Sequence, residues 1–124
     1  LAQKRIKNRK KMNTENNKII AEFMKYIKHT QTKSYLTKDG YFHDKDLKFH
    51  SDWNWLMEVV EKIESIKIET YKVRVDIYFN CCQINPTHWE QLISIYGNKE
   101  TKIEAVYNAC IEFIKWYNEN KSHL

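Results

Sequence analysis

The sequence predicts an α+β protein: three helices packed on a small, mainly antiparallel sheet, with a basic N-terminal arm. Three observations predict it. Apolar residues recur at three- and four-residue intervals across residues 51–67, SDWNWLMEVVEKIESIK, the spacing of one helical face. They alternate with polar residues across 71–79, YKVRVDIYF, the period of a strand. Positive charge is concentrated at the start of the chain. A chain of 124 residues that is 42% hydrophobic and 14% aromatic has the material for one core. The expected organisation is therefore an arm over residues 1–11 and a single domain over 12–124.

Charge separates these two parts. The chain carries a net +5, yet residues 1–11 hold six basic side chains (Lys4, Arg5, Lys7, Arg9, Lys10, Lys11) and no acid. The remainder has 15 basic and 16 acidic residues, a net of −1. Any electrostatic attraction to nucleic acid therefore belongs to those eleven residues. They read as a disordered tail, a nucleic-acid-binding arm, or a helical extension with Lys4, Lys7 and Lys11 on one face. The chain begins with Leu1, and Met12 opens a sensible N-terminus, so the arm also reads as an upstream extension.

Thr14 is the expected cap of a first helix running to about Lys28, with Ile19, Ile20, Phe23, Met24 and Ile27 as its buried stripe. Asp39-Gly40 marks a hairpin turn between Tyr35-Leu36 and Tyr41-Phe42. Leu47 and Phe49 suggest a short strand beyond it. Tyr35, Tyr41 and Phe42 are read as exposed aromatics on a contact surface. In the central helix Leu56, Val59, Val60, Ile63 and Ile66 form the apolar face, Ser51 or Asp52 the cap, and Trp53 and Trp55 crowd the first turn. In the strand that follows, Tyr71, Val73, Val75, Ile77 and Phe79 share one side. Asn85-Pro86 is a turn, Trp89 to Tyr96 a second strand or short helix, and Gly97-Asn98 a break. Ile103, Val106, Tyr107, Cys110, Ile114 and Tyr117 define a last helix over 99–118.

No stretch of the sequence carries a recognisable catalytic motif. Gly40 and Gly97 are the only glycines, which excludes a phosphate-cradling loop or a dinucleotide fingerprint. The five histidines lack paired zinc spacing. His43 and His50, with Asp44 and Asp46, are the nearest approach to a metal site, and solvent-exposed loop residues are the preferred reading. Cys81 and Cys82 are adjacent on a strand and so point to opposite faces, one buried and one half-exposed, without redox spacing. Glu58, Glu61 and Glu64 read as a solvated helix face. Free thiols imply a reducing cytoplasm. No apolar run approaches the roughly 20 residues of a membrane span, and the N-terminus lacks the apolar core of a signal peptide.

Three blocks, MNTENNKIIAEF, FHSDWNWLMEVVEKIES and KIEAVYNACIEFIKWYNEN (residues 12–23, 49–65 and 102–120), resemble small proteins from phages and mobile elements of Bacteroidetes-type bacteria. The Trp-rich central block and the FIKWYNEN ending are the specific parts. That family is similar to this chain from Met12 onward and carries Pro at or near the place of Glu58. It brings no established active site. The anti-CRISPR proteins acting on the type VI-B RNA-guided nuclease Cas13b come from the same genomic setting. The resemblance thus implies an inhibitor of a host nucleic-acid-targeting defence.

The expected function is non-catalytic binding to a host defence nuclease or its ribonucleoprotein complex, with Tyr41 and Phe42 meeting protein. Lys4, Arg5, Lys7, Arg9, Lys10 and Lys11 meet RNA phosphate. No cofactor, metal, small-molecule substrate or membrane enters this reading. Two alternatives stand beside it: an interaction module of phage replication or packaging, and a small enzyme with a pocket around Cys81, His88 and Trp89.

Overall fold

Of the three readings of the basic run, residues 2–11 take the helical extension, and no separate arm precedes the first helix among the described residues. The structure, a computed structural model describing residues 2–86 and 95–124, carries one continuous helix, α1 (Ala2–Phe23), through the basic run and beyond it. Ala, Gln, Lys and Arg all rank high in helix propensity, which accounts for its start. Thr14 does not cap it. Its Oγ1 donates to the Lys10 carbonyl at 3.0 Å, the back-bond of a mid-helix threonine.

Helix α1 ends earlier than its apolar pattern suggests. Tyr26 N–H donates to the Ala21 carbonyl and Lys25 N–H to that of Glu22, both at 3.0 Å, with Lys25 left-handed at φ 59°. This is a Schellman motif with lysine where glycine is usual. Ile27, expected on the buried stripe, consequently opens a strand and is exposed.

The chain divides into two compact units, Leu1–Phe49 and His50–Leu124. In the first, strands β1 (Ile27–His29), β2 (Ser34–Thr37) and β3 (Gly40–His43) form an antiparallel sheet. Thr37 pairs with Gly40 across a two-residue turn, as the Asp39-Gly40 signal predicts, and Gly40 takes φ 109°. A 3-10 turn (Asp44–Asp46) follows. Asn17, buried in α1, donates its Nδ2 to the Leu47 carbonyl at 3.0 Å and so ties the helix to the segment beyond that turn. Leu47 and Phe49 are fully buried but form no strand. Phe49 stacks on Tyr26 with centroids 6.0 Å apart.

The second unit opens with α2 (Trp53–Ser65), capped by Asp52, whose carboxylate accepts from Asn54 N–H at 2.8 Å. Trp55, Leu56, Val59, Val60 and Ile63 are buried, each contributing about 1.5–3 kcal/mol of hydrophobic stabilisation. Strands β4 (Lys67–Ile68) and β5 (Tyr71–Lys72) make a minimal hairpin. The single strand expected over 71–79 is broken at Val73, whose N–H donates to the Ile66 carbonyl at 3.0 Å. It resumes as β6 (Arg74–Tyr78), paired in an antiparallel sheet of order β6-β7-β8 with β7 (Cys81–Asn85) and β8 (Ile95–Asn98).

Helix α3 (Lys102–Asn120) packs on β7, β8 and α2. Thr101 caps it by accepting from Glu104 N–H at 3.3 Å. Cys82 and Ile84 of β7 are fully buried, as are Val106, Cys110, Phe113 and Ile114 of α3. Gly97 does not break the chain: it lies inside β8. The α+β class is as expected, but the described strands form three small antiparallel sheets instead of one. Of the second strand expected over Trp89 to Tyr96, only Ile95 and Tyr96 fall among the described residues.

Candidate functional site

The six basic residues fall on the first half of α1, and every side chain from Ala2 to Met12 is exposed. At 3.6 residues per turn, Lys4, Lys7 and Lys11 lie within a sector of about 60°. Arg5 and Arg9 lie about 150° around the axis from them, and Lys10 between the two groups. Ile6 and Met12 are 55% and 64% exposed and about 120° apart, so no apolar stripe runs along this half. The first turn carries no acidic residue to balance the helix dipole.

Further along α1 the chemistry changes. Lys18 reaches Glu15 at 3.3 Å and the buried carboxylate of Asp44 at 3.5 Å. The hydrogen bond to Glu15, then the charges of Glu15 and Asp44, hold the Lys18 ammonium above its ordinary value against the opposing effect of burial. His43 Nδ1 also lies 2.9 Å from Asp44. This cluster fixes α1 to the 3-10 turn and leaves the cations upstream of it facing solvent.

The three-stranded sheet of the first unit supplies a second feature. Ile27, Leu36 and Tyr41 stand directly opposite one another across β1, β2 and β3, and directly paired residues share a face. They are 67%, 37% and 65% exposed, a continuous apolar row on the outer face. Tyr35 and Phe42 belong to the other face. Tyr35, expected to be exposed, is fully buried. Phe42 is half-buried with Lys48 Nζ 5.3 Å from its ring centroid. Tyr41 and Phe42 therefore do not make one surface. Ile27 and Leu36 are the neighbours of Tyr41, and only the strand register reveals them.

Outside this unit, the hairpin joining β6 to β7 turns at Phe79, left-handed at φ 51° and 83% exposed. Its expected place on the same face as Val75 and Ile77 is lost because the strand ends at Tyr78. The Tyr78 and Tyr96 hydroxyls hydrogen-bond each other across the sheet, which pushes the Tyr78 phenol up to about 12.

Cys81 is half-buried and Cys82 buried, as alternation requires. Burial pushes the Cys82 thiol up to about 12 and the Cys110 thiol well above its ordinary value. His88 and Trp89 lie outside the described residues. Among the described residues no three His, Cys, Asp or Glu side chains gather as a metal site, and His43 and His50 fall in different units. Among them, too, no helix is long and apolar enough to cross a membrane.

Charge divides along the same boundary as the units. Leu1–Phe49 contains thirteen basic and five acidic residues, a net of +8; His50–Leu124 contains eight and eleven, a net of −3. No family model, curated protein or solved structure matches the chain.

Proposed function

We propose that the chain is a non-catalytic, phage-encoded binding protein that inhibits a host nucleic-acid-targeting defence nuclease by docking on its ribonucleoprotein complex. The observation that carries this reading is the concentration of six exposed cations on the first half of α1, in a unit of net +8. Such a surface attracts phosphate without regard to sequence and speeds encounter with RNA. The exposed row of Ile27, Leu36 and Tyr41 adds an apolar contact suited to protein, with an aromatic residue of the kind enriched in interface cores. The resemblance of residues 12–23, 49–65 and 102–120 to phage proteins supplies the defence target.

A cleavage assay tests the proposal. A type VI-B nuclease loaded with guide RNA is given labelled target RNA and increasing amounts of this protein. Cleavage is expected to fall with dose, and to fall less for a variant with all six cations replaced by Gln. Unchanged cleavage at a large excess of the protein overturns the proposal. Co-purification with a phage replication or packaging protein in place of a host nuclease favours the alternative module.

A further inference from the structure

We infer that the first half of α1 inserts into the open major groove of a double helix, meeting phosphate on both walls. The inference rests on the reading of α1 as the RNA-contacting element and specifies the form of the ligand. Its basis is the angular distribution of charge. Lys4, Lys7 and Lys11 face one way, and Arg5 and Arg9 face nearly the opposite way, within a rise of about 10 Å. Every one of these side chains is exposed.

Three kinds of polyanionic partner make different demands on a helix. A lipid surface takes an amphipathic helix, basic on one side and apolar on the other; here Ile6 and Met12 share no stripe. A single strand takes a one-sided cationic track with aromatic rings for its bases; residues 2–12 contain no aromatic residue. A groove has two phosphate walls, and cations on opposed sides of a helix can engage both at once. A helix is about 10–12 Å across with its side chains. The major groove of B-form DNA, about 12 Å wide, admits it. The major groove of regular A-form RNA is too narrow, so an RNA ligand must be opened by a bulge or internal loop.

Isolated charge repulsion also favours such a ligand. Lys4 and Lys7, Arg5 and Arg9, and Lys7 and Lys11 are like-charged neighbours at three- or four-residue spacing, with no acid before Glu15. Phosphate on both sides relieves that repulsion on both faces, whereas a single track relieves one.

The test uses the full chain and four fluorescent ligands of equal length at one salt concentration: bulged RNA duplex, fully paired RNA duplex, single-stranded RNA and DNA duplex. Bulged RNA and DNA duplex are expected to bind at least about tenfold more tightly than paired or single-stranded RNA. Two variants, Lys4→Gln/Lys7→Gln/Lys11→Gln and Arg5→Gln/Arg9→Gln, are each expected to weaken that binding and lower its salt slope by roughly 3 and 2. Helicity by circular dichroism is expected to hold, since Gln is a good helix former. Equal affinity for single-stranded and bulged RNA overturns the groove, as does a loss confined to one variant; neither touches the cleavage result. Binding to DNA alone keeps the groove and overturns the guide-RNA reading. Binding to none of the four overturns both.

Discussion

Gly97 in β8 sits against the backbone carbonyl of Ala105 in α3, so closely that a Cβ placed on it would overlap that oxygen and lie 3.1 Å from the Ala109 Cβ. The strand and helix are in backbone contact, and glycine is there for close approach, not for a turn. Gly97→Ala is expected to lower stability by about 3 kcal/mol, because carbonyl and strand must separate. Urea denaturation checks this through its midpoint. Gly40→Ala is a useful contrast: its Cβ meets nothing, and only the φ of 109° penalises it, by about 1–3 kcal/mol.

Lys25 holds the left-handed position that ends α1. Replacing it with Gly removes a backbone strain of about 1–2 kcal/mol and adds back part of that as unfolded-state entropy. Lys25→Gly is therefore expected to raise stability by about 0.5–1 kcal/mol, read as a higher thermal midpoint. A fall in midpoint would contradict the Schellman geometry.

Tyr35 is fully buried, and its hydroxyl has no hydrogen-bond partner among the described residues. Burial, followed by the charge of Glu22, raises its phenol pKa. Tyr35→Phe is expected to be neutral or stabilising by up to about 1 kcal/mol, since an unsatisfied polar group is removed without loss of ring packing. Tyr41→Ser, at an exposed position, is expected to change stability by less than about 0.5 kcal/mol while weakening capture of the ribonucleoprotein.

Burial holds the His50 imidazole below its ordinary value of 6.5. Below that value the unfolded chain binds a proton that the folded chain refuses, so this residue's contribution to stability is present above pH 6.5 and is lost as pH falls toward the lower folded value. Unfolding measured between about pH 7 and 5.5 is expected to show a loss that His50→Gln flattens.

Much of this fold is legible in the residues themselves. The apolar period of residues 51–67 locates α2, Asp52 caps it, and Asp39-Gly40 marks the β2–β3 turn, because each depends on local spacing and backbone preference. The start of α1 is not legible from apolar periodicity, since residues 2–12 form a helix on propensity alone and bury nothing. Gly97 misleads because a glycine demanded by a helix twelve or fewer residues ahead looks the same as one demanded by a turn. The basic residues of the candidate site are legible as a charge run, but their opposed faces require the helix. The apolar row requires the register that sets Ile27 and Leu36 beside Tyr41.

The most direct test of the account is the salt dependence of RNA affinity, comparing the full chain with its six-cation Gln variant. Six phosphate contacts predict that log affinity falls against log salt with a slope of roughly −4 to −5, and that the variant is nearly flat. A shallow slope for the full chain, or the same steep slope in the variant, would contradict the assignment of phosphate binding to the first half of α1.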